Sequence, residues 1–76
     1  MQSITNMEGT YDSEADVAYI YFKTECERRI VAKTREVKDH SDVYVDFDRE
    51  GRIIGIEILN ASTRMEPSFL EELTKI

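Results

Sequence analysis

The chain has 76 residues, 41% of them hydrophobic and 34% charged, with 16 acidic against 10 basic side chains and a net charge of −6. That composition excludes a disordered chain, and the lack of any run near the ~18 apolar residues of a membrane helix excludes a helical span. The acidic balance disfavours nucleic acid, whose binding depends on Lys and Arg neutralising phosphates, and suits a basic protein partner.

Length predicts one small domain over residues 1–76. Domains of this size bury only about 60% of the surface their unfolded chains expose, so the core needs a supplement. Cys26 is the sole cysteine and closes no intrachain disulfide, and one His with one Cys falls short of the four ligands of structural zinc. A homodimer is therefore the expected supplement. The lone thiol, and a start from Met1 to Glu8 without the basic and apolar regions of a signal peptide, point to a cytoplasmic location.

Period-two alternation dominates up to about residue 61 and predicts strands. Residues 4–11 form a first strand with Met7, Gly9 and Tyr11 on one face. Asp12–Asp16 is a turn rich in side chains that bond their own backbone. In Val17–Lys23, Ala18, Ile20 and Phe22 share one face and Val17, Tyr19 and Tyr21 the other, as in a strand covered on both sides. After polar Thr24–Arg29, Ile30–Val37 reads as a more exposed strand.

Lys38–Asp42 reads as a polar loop containing His40. In Val43–Asp48 the alternation places Val43, Val45 and Phe47 inward, with Tyr44, Asp46 and Asp48 outward. Asp48-Arg49-Glu50-Gly51-Arg52 has Gly where a short hairpin loop needs positive φ, so Val43–Asp48 should pair antiparallel with Ile53–Asn60. In that last strand Ile54, Ile56 and Ile58 form one face, and Ile53, Gly55, Glu57 and Leu59 the other. Pro67 suits the first position of a short helix over about 67–75, with Met65 stapled onto Leu70 and an apolar stripe of Phe69, Leu70, Leu73 and Ile76. The predicted class is α+β, mainly β: a four- or five-stranded antiparallel meander with one short C-terminal helix.

The segments Tyr11-Asp12-Ser13-Glu14-Ala15-Asp16-Val17-Ala18-Tyr19-Ile20, Val43-Tyr44-Val45-Asp46-Phe47-Asp48 and Gly51-Arg52-Ile53-Ile54-Gly55-Ile56-Glu57-Ile58-Leu59-Asn60-Ala61-Ser62 together resemble the small prokaryotic DUF2283 family. The resemblance covers residues 7–65 and follows the family in order and spacing. It implies a small β-rich protein of uncharacterised function. Some members look like partners in toxin–antitoxin-type gene pairs, which implies protein binding, and no catalytic residue carries over. The N-terminal extension, Thr24–Arg29 and the tail Pro67–Ile76 depart from the short members.

Asp12, Glu14 and Asp16 alternate as carboxylates that supply oxygen ligands to calcium or magnesium do, but no Gly follows at the sixth position and no Glu at the twelfth of a calcium loop. The plainer reading is that Asp12 caps its turn while Glu14 and Asp16 are solvated or bond nearby amides. The hairpin brings Asp46 toward Glu57, and opposed like charges need a cation or basic side chain such as Lys33 or Arg35. The plainer reading there is an exposed face on which the two stay apart. A divalent cation, small ligand or minor enzyme using Asp12, Glu14, Asp16, Asp46 and Glu57 is the alternative function. The small sheet offers little room for a substrate cleft, and no catalytic, metal or cofactor residue is assigned.

His40, with no second His or nearby Cys, reads as a surface residue, and acidic Glu25 and Glu27 disfavour a Cys26 thiolate. Tyr is enriched at interfaces, and Ile20 and Phe22 already serve the core. Tyr19 and Tyr21, with Ile53 and Leu59, are therefore the expected interface residues of a protein-interaction module.

Overall fold

Asp16, Asp39, Gly51 and Asn60, each at positive φ, interrupt the alternation of the chain, and the alternating segments beside them become strands. The computed structural model describes residues 7–22 and 30–76. It contains β1 Met7–Asp12, β2 Val17–Phe22, β3 Lys33–Val37, β4 His40–Phe47, β5 Ile53–Leu59 and β6 Thr74–Lys75, with α1 Ala61–Arg64 and α2 Pro67–Glu71 between the last two strands. The strand order across the single sheet is β3-β4-β5-β2-β1-β6.

The α+β, mainly β class holds, but the sheet has six strands and is mixed, and two short helices replace the single one expected. A hairpin, β1–β2, and a three-strand meander, β3–β4–β5, join through antiparallel pairing of β2 with β5. β6 then adds to β1 in parallel. The expected helix over about 67–75 stops at Glu71. Five residues are too few to be stable alone, and the free edge of β1 offers backbone partners: the Ile76 amide donates to the Tyr11 carbonyl at 3.0 Å. The predicted apolar stripe divides accordingly. Leu70 and Leu73 are half-buried, whereas Phe69 and Ile76 are exposed.

Turn chemistry explains the boundaries. Gly51 has φ 83, and its amide donates to the Asp48 carbonyl at 3.0 Å, closing the predicted β4–β5 hairpin. Asp39 takes φ 66, which Asp tolerates better than most residues, so Lys38 and Asp39 alone make the β3–β4 turn. The expected loop over Lys38–Asp42 is therefore shorter, and exposed His40 begins β4. β3 begins at Lys33 rather than Ile30. Residues 4–6 of the expected first strand, Lys23 and Thr24–Arg29 with Cys26 lie outside the described residues.

Register sorts the side chains into two faces. On the apolar face Ala18 pairs with Ile58, itself opposite Val43, and Ile20 pairs with Ile56, opposite Val45. Ala18, Ile54 and Ala61 are its buried members, and no large side chain among the described residues is completely buried. The tail reaches this face: Met65, Phe69 and Leu73 line a groove of about 570 Å³ with Gly9 and Ile20. No helix among the described residues is long and apolar enough to cross a membrane.

Candidate functional site: the tyrosine face

The opposite face carries the polar half of each alternating strand. Tyr19 pairs with Glu57, which in turn faces Tyr44; Tyr21 pairs with Gly55, which faces Asp46; and Asp46 faces Thr34 on β3. Tyr19 and Tyr21 lie side by side, with ring centroids 6.0 Å apart and planes inclined by 27°. Tyr21 donates its hydroxyl proton to Glu8 Oε1 at 3.2 Å.

Tyr19 does not stand out into water but lies across β5. Its hydroxyl donates to Asp46 Oδ2 at 2.7 Å, and Thr34 Oγ1 donates to Asp46 Oδ1 at 2.5 Å. This crossing requires Gly55, because a Cβ there would overlap the Tyr19 ring and hydroxyl. Three strands besides β5 are thus tied over one glycine. Burial first, then the hydrogen bond to Asp46 and the negative charges of Asp46 and Glu57, push the Tyr19 phenol above its usual range.

Asp46 and Asp48, expected to point outward, are 9% and 7% exposed. Buried carboxylates persist where hydrogen bonds replace water, and both have them. Tyr19 and Thr34 serve Asp46. The amides of Glu50 and Arg52 donate to Asp48 Oδ1, each at 2.9 Å, so Asp48 builds the hairpin loop. Asp46 and Glu57 share the tyrosine face without standing opposite each other, since Asp46 faces Gly55.

A second tyrosine–aspartate bond holds the end of the sheet where the acidic turn lies. Asp16, at φ 58, turns its carboxylate back so that the Tyr11 hydroxyl donates to Oδ1 at 2.7 Å. The Ser62 amide donates to the same oxygen at 2.9 Å, and Ser62 Oγ donates to Oδ2 at 2.7 Å. Asn60, the residue preceding α1, makes no side-chain cap, so a carboxylate 46 residues earlier in the chain caps the helix instead. These bonds, led by that from Tyr11, hold the Asp16 carboxyl below its ordinary value, and the same bond raises Tyr11.

Of the other turn carboxylates, Asp12 accepts from the amides of Glu14 at 3.0 Å and Ala15 at 3.3 Å, as its capping role requires, and Glu14 is exposed. Among the described residues no group of three His, Cys, Asp or Glu side chains is placed to hold a metal ion. Tyr19, Tyr21 and Leu59 share a face through the β2–β5 register, where Leu59 pairs with Val17. Ile53 does not follow them: the register slips at Asp46/Phe47 and pairs it with Phe47. Alternation alone also misses the roles of Asp16, Ser62 and Thr34; the one local signal was the density of turn-forming carboxylates around Asp16.

A model of the DUF2283 family, described as a protein of unknown function, matches residues 10–62. An uncharacterised protein of Methanocaldococcus jannaschii is 40% identical over 52 residues, which is 68% of this chain and 39% of that protein. The chain thus spans well under half the length of that relative. No solved structure matches.

Proposed function

The chain belongs to the DUF2283 family, whose function is unknown, and from that premise we propose that it is a protein-interaction module that works as a homodimer. The observation that carries this reading is the open core. No large described side chain is fully buried, while Phe22 and Phe69 remain 43% and 65% exposed. Phe69 lines the groove over Gly9 and Ile20, and Phe22 follows Ile20 by two positions on the same apolar face. A domain this small whose core needs a cover is best served by a cover present whenever the chain is present, and a second copy meets that condition.

The tyrosine face supports the finer half of the reading, a basic protein partner. Tyr21, Tyr44, Glu36 and Glu57 present rigid aromatic area beside carboxylates, a surface suited to Arg and Lys. The divalent-cation alternative lacks a comparable cluster among the described residues.

Light scattering coupled to size exclusion at micromolar concentration tests the module. The expected result is twice the chain mass, falling to one in a Phe22→Ser/Phe69→Ser variant; a monomeric parent chain overturns the homodimer. In a second arm, polarisation of a fluorescent arginine-rich peptide should rise with the parent chain and weaken in Glu36→Gln/Glu57→Gln. No rise would remove the basic partner.

A further inference from the structure

Seven basic residues fall within the described segments, and they are not treated alike. Arg64 is paired with Asp42 at 3.2 Å, and the Lys75 ammonium donates to the carbonyls of Leu70, Glu71 and Leu73. Lys33, Arg35 and Arg49 have no such partner among the described residues. They also converge. Lys33 faces Phe47 and Arg35 faces Val45, which puts both cations on one side of edge strand β3, and Arg49 rises from the turn that follows β4.

Together with Ala32, Phe47 and Gly51, these three side chains line a cavity of about 360 Å³. The one acid among the described residues of its wall, Asp48, is 7% exposed, and its Oδ1 is already engaged by two loop amides. Three like charges gathered around a single described carboxylate leave a net positive charge that repels itself, in a chain whose 16 acidic residues give it an overall negative balance. An anion brought from outside would relieve that repulsion.

We propose that this cavity is a binding site for a small phosphate monoester. Two arginines provide planar forks that match phosphate oxygens bidentately, and Lys33 adds a point charge beside them. The volume falls within the range of small-molecule pockets, ~300–1,000 Å³, and leaves room for an organic group beyond the phosphate. Phe47 and Ala32 supply the apolar wall against which that group rests. The site opens at the β3 edge of the sheet, with β4 and β5 between it and the groove assigned to the second copy, although the register places Lys33 and Arg35 on the same apolar face as that groove.

The test is a titration of the full chain with phenyl phosphate and, separately, inorganic phosphate, at constant ionic strength and followed by ¹H–¹⁵N correlation spectra. Saturable shifts should concentrate on residues 32–35 and 47–51, with phenyl phosphate binding more tightly than inorganic phosphate. In Arg35→Gln/Arg49→Gln the affinity should fall by at least about tenfold, the loss expected when charge-assisted hydrogen bonds are removed. Should that variant lose its spectral dispersion, Lys33→Gln decides with a smaller loss in the same direction. Shifts scattered over the whole chain, equal affinities for the two probes, or binding unchanged in a folded variant would each overturn the site. So would a variant whose only effect is on oligomeric state.

Discussion

Two bonds of the same chemistry start from opposite faces of this sheet: Tyr11 to Asp16 and Tyr19 to Asp46, both 2.7 Å, each aspartate also accepting from a Ser or Thr hydroxyl. The first joins residues five apart and then reaches α1 through Ser62, near water. The second joins residues 27 apart across β5, with Asp46 only 9% exposed. Identical donors and acceptors therefore perform different tasks. The first bond, part-buried with Asp16 nearer the surface than Asp46, shapes a turn and caps a helix, so water can more readily replace it. The second, whose acceptor Asp46 is buried, ties β2, β4 and β3 together, and water replaces it less readily when it is lost, so its removal also costs part of the desolvation of a carboxylate.

The largest effect is expected where the second bond depends on missing atoms. Gly55→Ala puts a methyl group into the path of Tyr19, which must leave Asp46 or displace β5. Overpacking and a lost hydrogen bond together should cost about 3 kcal/mol, measured as a shift in the urea midpoint. An unchanged midpoint would mean that Tyr19 does not cross β5 in solution.

Tyr19→Phe and Tyr11→Phe sharpen the comparison, since each removes one hydroxyl from an equally short bond. Tyr19→Phe should cost about 1–3 kcal/mol because Asp46 keeps only Thr34. Tyr11→Phe should cost less, with Ser62 still donating twice to Asp16. Equal losses in parallel urea titrations would show that burial does not distinguish the two sites.

The smallest effects lie at the limits of pH. Asp16 is held below its ordinary 3.8, so the folded state binds its proton more weakly than the unfolded chain does. Its contribution is complete above that value and is lost as the pH falls through and below it. Tyr19 is raised above its ordinary 10.0, so its contribution is complete below that value and is lost as the pH rises beyond it. Tyr11 shifts in the same direction and adds to the alkaline loss. Urea midpoints should therefore decline at both extremes. Ser62→Ala should flatten the acid limb and Tyr19→Phe the alkaline limb; limbs that match the parent chain would break the assignment.

Much of the strand pattern is legible in the residues, because alternation and turn chemistry act locally. Ala18, Ile20 and the β5 isoleucines announce one apolar face, and Gly51 announces its hairpin. Asp46 and Asp48 were misjudged for a reason alternation cannot express. A carboxylate reads as outward when hydration is its only alternative, whereas here Tyr19, Thr34 and two loop amides substitute for water. Tyr19 and Tyr21 were recognised as neighbours on one face, but the route of Tyr19 over Gly55 depends on β5 lying between β2 and β4. The convergence of Lys33 and Arg35 with Arg49 likewise needs β3 beside β4.

By itself the sequence determined the mainly β class, the β4–β5 hairpin and the apolar partition of the strands, since each follows from neighbours within a few positions. Tertiary structure alone decided that β5 returns to β2, that the tail leaves its helix to lengthen the sheet, and that Asp16 caps a helix 46 residues away. Those outcomes rest on backbone edges and buried charges finding partners across long loops, where the local residues carry no record of which partner is near.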